Sequence, residues 1–286
     1  MVSKDRLLSE ELDWRGLDKE EYRVYTIARL LGLAFFAALS AAFGVLAAAQ
    51  VPPAPLPEPS PWRTAGQCLL ATGMLAEIMV DTCLMPGATK DMEVFPLVKM
   101  AGKPVFLTTW ILYCQTIEAV AAAATEVLLL AGAPCPRLMT LSYRGAVSVA
   151  GAGIILTLLF LKFNYFEEKW RTNVAELWER RGVRFFRNSL LGHIPSLPVA
   201  VLDVVLVRDR RFLAACTPSL LGNMGVTFTF AVSWYSWVHI LWWATGYRCW
   251  PYPFLHLFDT IPKRLAFFAV VYSAMVLFML PMQLAA

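Results

Sequence analysis

The chain has 286 residues, of which 58% are hydrophobic and only 16% are charged, and its mean hydropathy is +0.56. Soluble domains carry roughly 45 to 50% apolar and about 25% charged residues, so this composition disfavours a soluble enzyme and excludes a disordered chain. The formal charge of +4 comes from short basic clusters between apolar runs. That pattern favours loops that face anionic lipid headgroups over a nucleic-acid surface.

A bilayer-crossing helix needs about 20 mostly apolar residues, and six runs meet that length. A seventh run, at 67–85, is long enough but carries Glu77 and Asp81, and acids are costly in the middle of a membrane. The fold predicted is therefore an all-α, polytopic transmembrane helical bundle with seven spans, or with six if run 67–85 does not cross. The six apolar runs are 25–49, 104–131, 144–164, 187–207, 217–245 and 264–286.

The basic residues favour seven spans. With seven, most of the 25 Lys and Arg residues fall on the side of the N-terminus, whereas six spans divide them almost evenly between the two sides. Because basic loops stay in the cytosol, we predict a cytosolic N-terminus. Residues 1–24 form an acidic cytosolic leader and residues 25–286 the membrane domain. Cleavage near Ala47-Ala48-Ala49 is the alternative to a retained signal anchor.

Two inserts interrupt the apolar runs. Pro52 to Pro61 predicts an extended, proline-rich connector. Residues 166–186 carry apolar side chains at helical spacing, which predicts either an interfacial amphipathic helix or an ordinary solvated connector helix.

The familiar motifs of soluble catalysis and metal binding are absent from the sequence. It has no GxSxG, GxGxxG, P-loop or HExxH pattern. Its six cysteines have no paired spacing, and its three histidines are too few for a histidine-box iron site. We therefore predict no metal site and no cofactor.

A threonine and a histidine offer the clearest chemistry. Thr108 follows Lys103 by five residues and His193 follows Arg187 by six, which places both at similar depth below one surface. An imidazole that accepts the proton of a threonine hydroxyl makes it a nucleophile able to cleave an acyl ester. The structural alternatives are a hydroxyl bonded to its own helix backbone and an interhelical histidine hydrogen bond.

Other intramembrane polar residues also need partners. With seven spans, Asp81 and His239 fall in the same half of the bilayer as Thr108 and His193. Gln115, Glu118 and Glu126 must face the bundle interior, either as paired groups or as part of an ion path. Pro195 and Pro198 predict a bend after His193, and Asp203 is too far along a straight helix to orient the imidazole.

Three segments together resemble a known family, the androgen-induced gene and androgen-dependent TFPI-regulating proteins. Lys103-Pro-Val-Phe-Leu-Thr-Thr-Trp, with Gln115 seven residues after Thr108, resembles the Lys-x-Leu-Thr-Phe segment of that family. Asn188-Ser-Leu-Leu-Gly-His193-Ile-Pro-Ser-Leu-Pro198 resembles its Asn-His-x-x-x-His-x-x-x-Leu-Pro stretch. Thr245-Gly246 followed by Trp250-Pro-Tyr-Pro-Phe-Leu255 resembles its Thr-Gly-x-Trp-x-Tyr-Pro-Phe-Leu ending.

The resemblance covers about residues 100–286 and implies a membrane threonine hydrolase that cleaves fatty acid esters of hydroxy fatty acids. It implies Thr108 as the nucleophile and His193 as its base. Thr109, Gln115, Asn188, His239 and Asp81 are the candidate supporting residues, of which Asp81 and His239 come from their shared depth. Two departures are visible. Thr109 stands where the family usually has a bulky residue, and Trp242-Trp243 stand where some relatives have a His-His pair.

The function predicted is integral membrane hydrolysis of such lipid esters in the endoplasmic reticulum, another endomembrane or the plasma membrane. A membrane acyltransferase and a non-enzymatic transporter or structural protein are the alternatives. The expected partners are membrane lipids and no nucleic acid, and the sequence specifies no oligomeric state.

Overall fold

The computed structural model describes residues 17–84, 94–166, 185–246 and 249–286, together with positions 88, 90, 92, 176 and 179. Its ten α-helices within these ranges are α1 (Lys19–Ala48), α2 (Pro61–Leu84), α3 (Phe95–Ala101), α4 (Leu107–Leu130), α5 (Pro136–Phe160), α6 (Phe185–Leu191), α7 (Ser196–Leu202), α8 (Arg210–Cys216), α9 (Leu220–Ala244) and α10 (Ile261–Ala285). Short 3-10 turns occupy Lys103–Val105 and Pro253–Leu257, and π-helical turns extend α5 and α7. The described chain contains no strand, so the all-α prediction is confirmed.

Five helical segments are long and apolar enough to cross a membrane. Their composition supports a membrane-embedded protein. The predicted count of seven is not established, because α2 and α9 are as long as these segments but are not among the five. Helix α2 carries Arg63, Glu77 and Asp81. The five are Lys19–Ala48, Leu107–Leu130, Pro136–Phe160, Asn188–Val207 and Ile261–Ala285.

Helices α4 and α5 form the centre of the bundle. In the most apolar 18-residue stretch of each helix, 72% of the residues of α4 and 67% of those of α5 are buried inside the protein. The corresponding shares are 11% for α1 and 17% for α10. The outer helices expose large apolar side chains, such as Val45 on α1 and Leu284 on α10. Exposed apolar surface of this kind is expected where a helix faces lipid.

Local signals explain where the helices begin. Asp18 caps α1 with a capping box, so this helix begins at Lys19 rather than near residue 25, and the end of the predicted leader is helical. Pro61 is the first residue of α2, a position where its missing N–H costs nothing. The stretch between Ala48 and Pro61 is not helical, as its prolines predict.

Small residues let the central helices approach closely. A Cβ atom added at Gly151 of α5 would lie 3.0 Å from Cβ of Met279 on α10. A Cβ atom at Gly153 would lie 2.0 Å from Nε2 of Gln115 on α4. A larger residue at Gly151 would press on the Met279 backbone, and one at Gly153 would displace the Gln115 carboxamide, so glycine favours both contacts, as at other close helix crossings in membranes.

The apolar run that contains His193 is broken. Helix α6 ends at Leu191 and α7 begins at Ser196, with Pro195 as its N-cap residue. The predicted bend is therefore an interruption of the helix, because proline cannot donate a backbone hydrogen bond. Most of the amphipathic segment predicted at 166–186 and most of the predicted leader lie outside the described residues.

Candidate functional site

His193 lies in the break between α6 and α7, and its ring is fixed on two sides. Its Nδ1 atom is 2.7 Å from the carbonyl oxygen of Ser189. The ring stacks on Phe160, with 4.3 Å between centroids and 16° between planes. Because a carbonyl can only accept, Nδ1 carries the proton in this contact and Nε2 carries the lone pair. Nε2 makes no hydrogen bond to any residue that the structure describes.

The backbone around His193 is also held in place. The hydroxyl of Thr157 on α5 donates to the carbonyl oxygen of His193 at 2.6 Å. Because this bond and the Phe160 stack both come from the end of α5, one helix sets the position of the histidine. A histidine held in this way needs little reorganisation of its ring to accept a proton.

An ion pair lies close to His193. Lys103 Nζ is 3.0 Å from Asp81 Oδ2, and the lysine also bonds the carbonyl oxygen of Asp81. Both residues lie within electrostatic range of the imidazole. Burial is the main influence on the Lys103 ammonium, whose pKa is lowered, and the Asp81 carboxylate opposes that shift. The pair therefore joins the end of α2 to the turn that precedes Thr108.

Thr108 lies in the first turn of α4 and is half-buried. The Tyr252 phenol is in hydrogen-bonding contact with the Thr108 side chain and with the backbone of Leu107 and Thr108. Burial raises the pKa of Tyr252 to about 12, so the phenol stays neutral near physiological pH. The neighbouring Thr109 is buried, at 3% exposure.

The structure brings the elements of Thr108 and His193 together without a hydrogen bond between their side chains. Gln115 Nε2 donates to the carbonyl oxygen of Ser196 at 3.2 Å, which joins α4 to the start of α7. Thr108 precedes Gln115 by seven residues and therefore shares its helix face. His193 precedes Ser196 by three residues, next to Lys103 and Asp81 at the same end of the bundle.

The other proposed supporting residues are divided between two places. Asn188 is buried on α6, and its Oδ1 atom has no hydrogen-bond partner. His239 lies instead in an aromatic cluster: its Nδ1 is 2.9 Å from the Tyr235 carbonyl oxygen, and its ring is 5.3 Å from that of Trp250. Arg264 stacks over Trp242 in the same cluster, 4.1 Å from the ring centroid. His239 is thus not among the residues that contact His193.

Two arginines form ion pairs with the two buried glutamates of α4, and the sequence alone did not predict these pairs. Glu118 binds Arg208 and accepts from Ser142 Oγ at 2.9 Å, and Arg208 Nε is 2.8 Å from Asp203 Oδ2. Asp203 is thus part of this network. Arg208 is 90 residues from Glu118 in the chain. The only sequence signal for this pair was the position of the arginine at the end of an apolar run.

A second buried network has the same form. Arg63 Nε is 3.1 Å from Glu126, and Arg63 NH1 is 3.3 Å from Asp209. Tyr143 donates to Glu126 at 3.2 Å. Of the two interpretations open for Glu118 and Glu126, paired groups or an ion path, these contacts favour paired groups.

Within the described ranges, no group of three or more His, Cys, Asp or Glu side chains could hold a metal ion. Comparison with known proteins finds no matching family model, no matching curated protein and no matching solved structure.

Proposed function

We propose that this protein is an integral membrane lipid esterase that cleaves fatty acid esters of hydroxy fatty acids or related acyl esters, with Thr108 as nucleophile and His193 as base. The single observation that carries the proposal is the state of His193. Its Nδ1–H is held by Ser189 and its ring by Phe160, which leaves the Nε2 lone pair available for a proton.

The reaction has two steps. The Thr108 hydroxyl oxygen attacks the ester carbonyl carbon while its proton passes to His193 Nε2. The bond to the alcohol oxygen then breaks, and the alcohol leaves with that proton. A water molecule next attacks the acyl-threonine, gives one proton to Nε2 and releases the fatty acid, after which Nε2 returns the proton to Thr108. The distance between the two side chains must close for the first step, as hydrogen bonds of catalytic groups do when substrate binds.

Isosteric variants test the nucleophile. Purified Thr108→Val is expected to lose hydrolysis of a hydroxy fatty acid ester by at least about a hundredfold, because the hydroxyl that forms the acyl intermediate is missing. Thr109→Val is the control for the neighbouring hydroxyl, which is more deeply buried than that of Thr108. His193→Gln is expected to lose activity to a similar extent.

A covalent label separates chemistry from folding. A fluorophosphonate probe is expected to label the wild-type protein and Thr109→Val but not Thr108→Val, with all three eluting alike on gel filtration. Full activity in Thr108→Val or His193→Gln would refute the assignment.

We also propose seven spans with a cytosolic N-terminus, in the endoplasmic reticulum or the plasma membrane. The lengths of α2 and α9, at 24 and 25 residues, support the two additional crossings. Single cysteines placed in the 50–60 connector and in the 131–135 turn, on a cysteine-free background, test this. Seven spans place both outside the cytosol, whereas six place them on opposite sides for an impermeant thiol reagent.

A further inference from the structure

The break between α6 and α7 lies inside a segment that is apolar enough to cross a membrane, Asn188–Val207. Interrupted membrane helices recur where small ligands and ions bind, because the unwound backbone and its neighbours offer polar groups at membrane depth. Here the break also borders α2 and α4, through Ser196. The Ser196 hydroxyl donates to Glu77 Oε1 at 3.0 Å, and the Ser196 carbonyl accepts from Gln115.

Glu77 is a buried acid that pairs with no cation among the residues that the structure describes. Its exposure is 2%, and its second oxygen, Oε2, has no hydrogen-bond partner. The neighbouring acid on the same helix face, Asp81, is already paired with Lys103. Glu77 therefore differs from Glu118 and Glu126, each of which binds an arginine. An isolated buried carboxylate is costly, so Glu77 needs a positively charged partner or a proton.

Two further buried oxygens around the break lack partners. Gln115 Oε1 and Asn188 Oδ1 make no hydrogen bond, and both residues are more than nine-tenths buried. Like Glu77 Oε2, both are acceptors. Three buried acceptor oxygens on the helices around the break thus have no hydrogen-bond donor among the described residues.

We propose that the break between α6 and α7 is a binding site for a small monovalent cation, held by the Glu77 carboxylate and the carboxamide oxygens of Gln115 and Asn188. A proton on Glu77 Oε2 would supply one donor for the two amide oxygens, whereas one cation can be shared by all three oxygens. The charge of the carboxylate and the charge of the ion cancel, which removes the cost of burying either alone. The cation site shares the break, Gln115 and Asn188 with the proposed esterase site but involves neither Thr108 nor His193, and its occupancy holds α2, α4 and the broken helix together.

Sodium is the probe for a stability test. The melting temperature of the purified full-length protein in detergent is measured in NaCl and in choline chloride at equal ionic strength. We expect a saturable rise of several degrees that is specific to Na⁺, because an ion bound only by the folded state stabilises it. Glu77→Gln is expected to abolish that rise. Glu58→Gln, which changes an exposed acid in the connector, is expected to retain it.

Direct binding tests the site without a melting measurement. Wild-type protein is expected to bind radioactive ²²Na⁺ saturably, and Gln115→Leu to weaken that binding at least tenfold. Melting temperatures that do not respond to Na⁺, or a Na⁺ response unchanged in Glu77→Gln, would overturn the proposal. A dependence on pH alone, removed by Glu77→Gln, would show a proton at Glu77 and would equally overturn it.

Discussion

Arg208 is expected to be among the most sensitive positions for stability. Its side chain is fully buried, binds Glu118 and Asp203, and lies 4.7 Å above the Tyr143 ring. Arg208→Met keeps much of the length but removes the charge, so two buried carboxylates lose their shared cation. Breaking a buried ion pair on one side costs about 3 to 5 kcal/mol, a large fraction of the roughly 5 to 15 kcal/mol that stabilises a domain.

The corresponding loss of melting temperature is large. At about 2 to 4 °C per kcal/mol for a chain of this size, we expect Arg208→Met to melt roughly 6 to 20 °C below the wild type in detergent. Thermal unfolding followed by tryptophan fluorescence measures this. Arg211→Met is the matched control, because Arg211 is exposed, and its melting temperature should change little.

A second substitution tests the cause. Asp203→Asn in the Arg208→Met background removes one of the two stranded charges, so it should recover part of the lost stability. The electrostatic reasoning would fail if Arg208→Met melted within a degree of the wild type, or if Asp203→Asn lowered the melting temperature of Arg208→Met further.

The remaining predictions concern helix packing and capping. Gly151→Ala should destabilise the protein by about 1 to 3 kcal/mol, because its Cβ would press on Met279 at 3.0 Å. Gly145→Ala on the same helix meets nothing within 4 Å and should be neutral or stabilising by up to about 1 kcal/mol, so equal losses at both glycines would contradict the packing argument. Asp18→Ala should cost about 1 kcal/mol at neutral pH through the lost cap of α1. Burial alone would raise the pKa of Asp18, but the backbone N–H groups of the helix and the Lys90 ammonium hold it below 3.8. The cap is therefore complete above pH 3.8, and the difference between wild type and Asp18→Ala should shrink as the pH falls through the lowered value; a difference that stays constant in acid would contradict the cap.

Most of the secondary structure could be predicted from the sequence. Apolar runs of about 20 residues in a chain poor in charge must be helices, because only helices satisfy their backbone hydrogen bonds locally in lipid. Prolines predicted the extended connector before α2 and a bend next to His193. Helix α1 begins six residues before the apolar run at 25–49, because Asp18 forms a capping box there.

Residue spacing also predicted part of the candidate site. Spacing from basic residues indicated that Thr108 and His193 lie at one end of the bundle, and the contact of Gln115 with Ser196 is consistent with that expectation. The same spacing argument placed His239 with Thr108 and His193, but His239 packs in a separate aromatic cluster. Depth along a helix axis says nothing about which neighbour the helix faces.

Composition and local pattern by themselves determined a lipid-embedded helical protein, because burial of apolar surface and backbone hydrogen bonding depend on residues close in sequence. Only the tertiary structure decided the partners of the buried acids: Arg208 for Glu118, Arg63 for Glu126, and for Glu77 the Ser196 hydroxyl with no cation among the described residues. These pairings join residues far apart in the chain, and their energies depend on distance and burial, which are properties of the packed bundle.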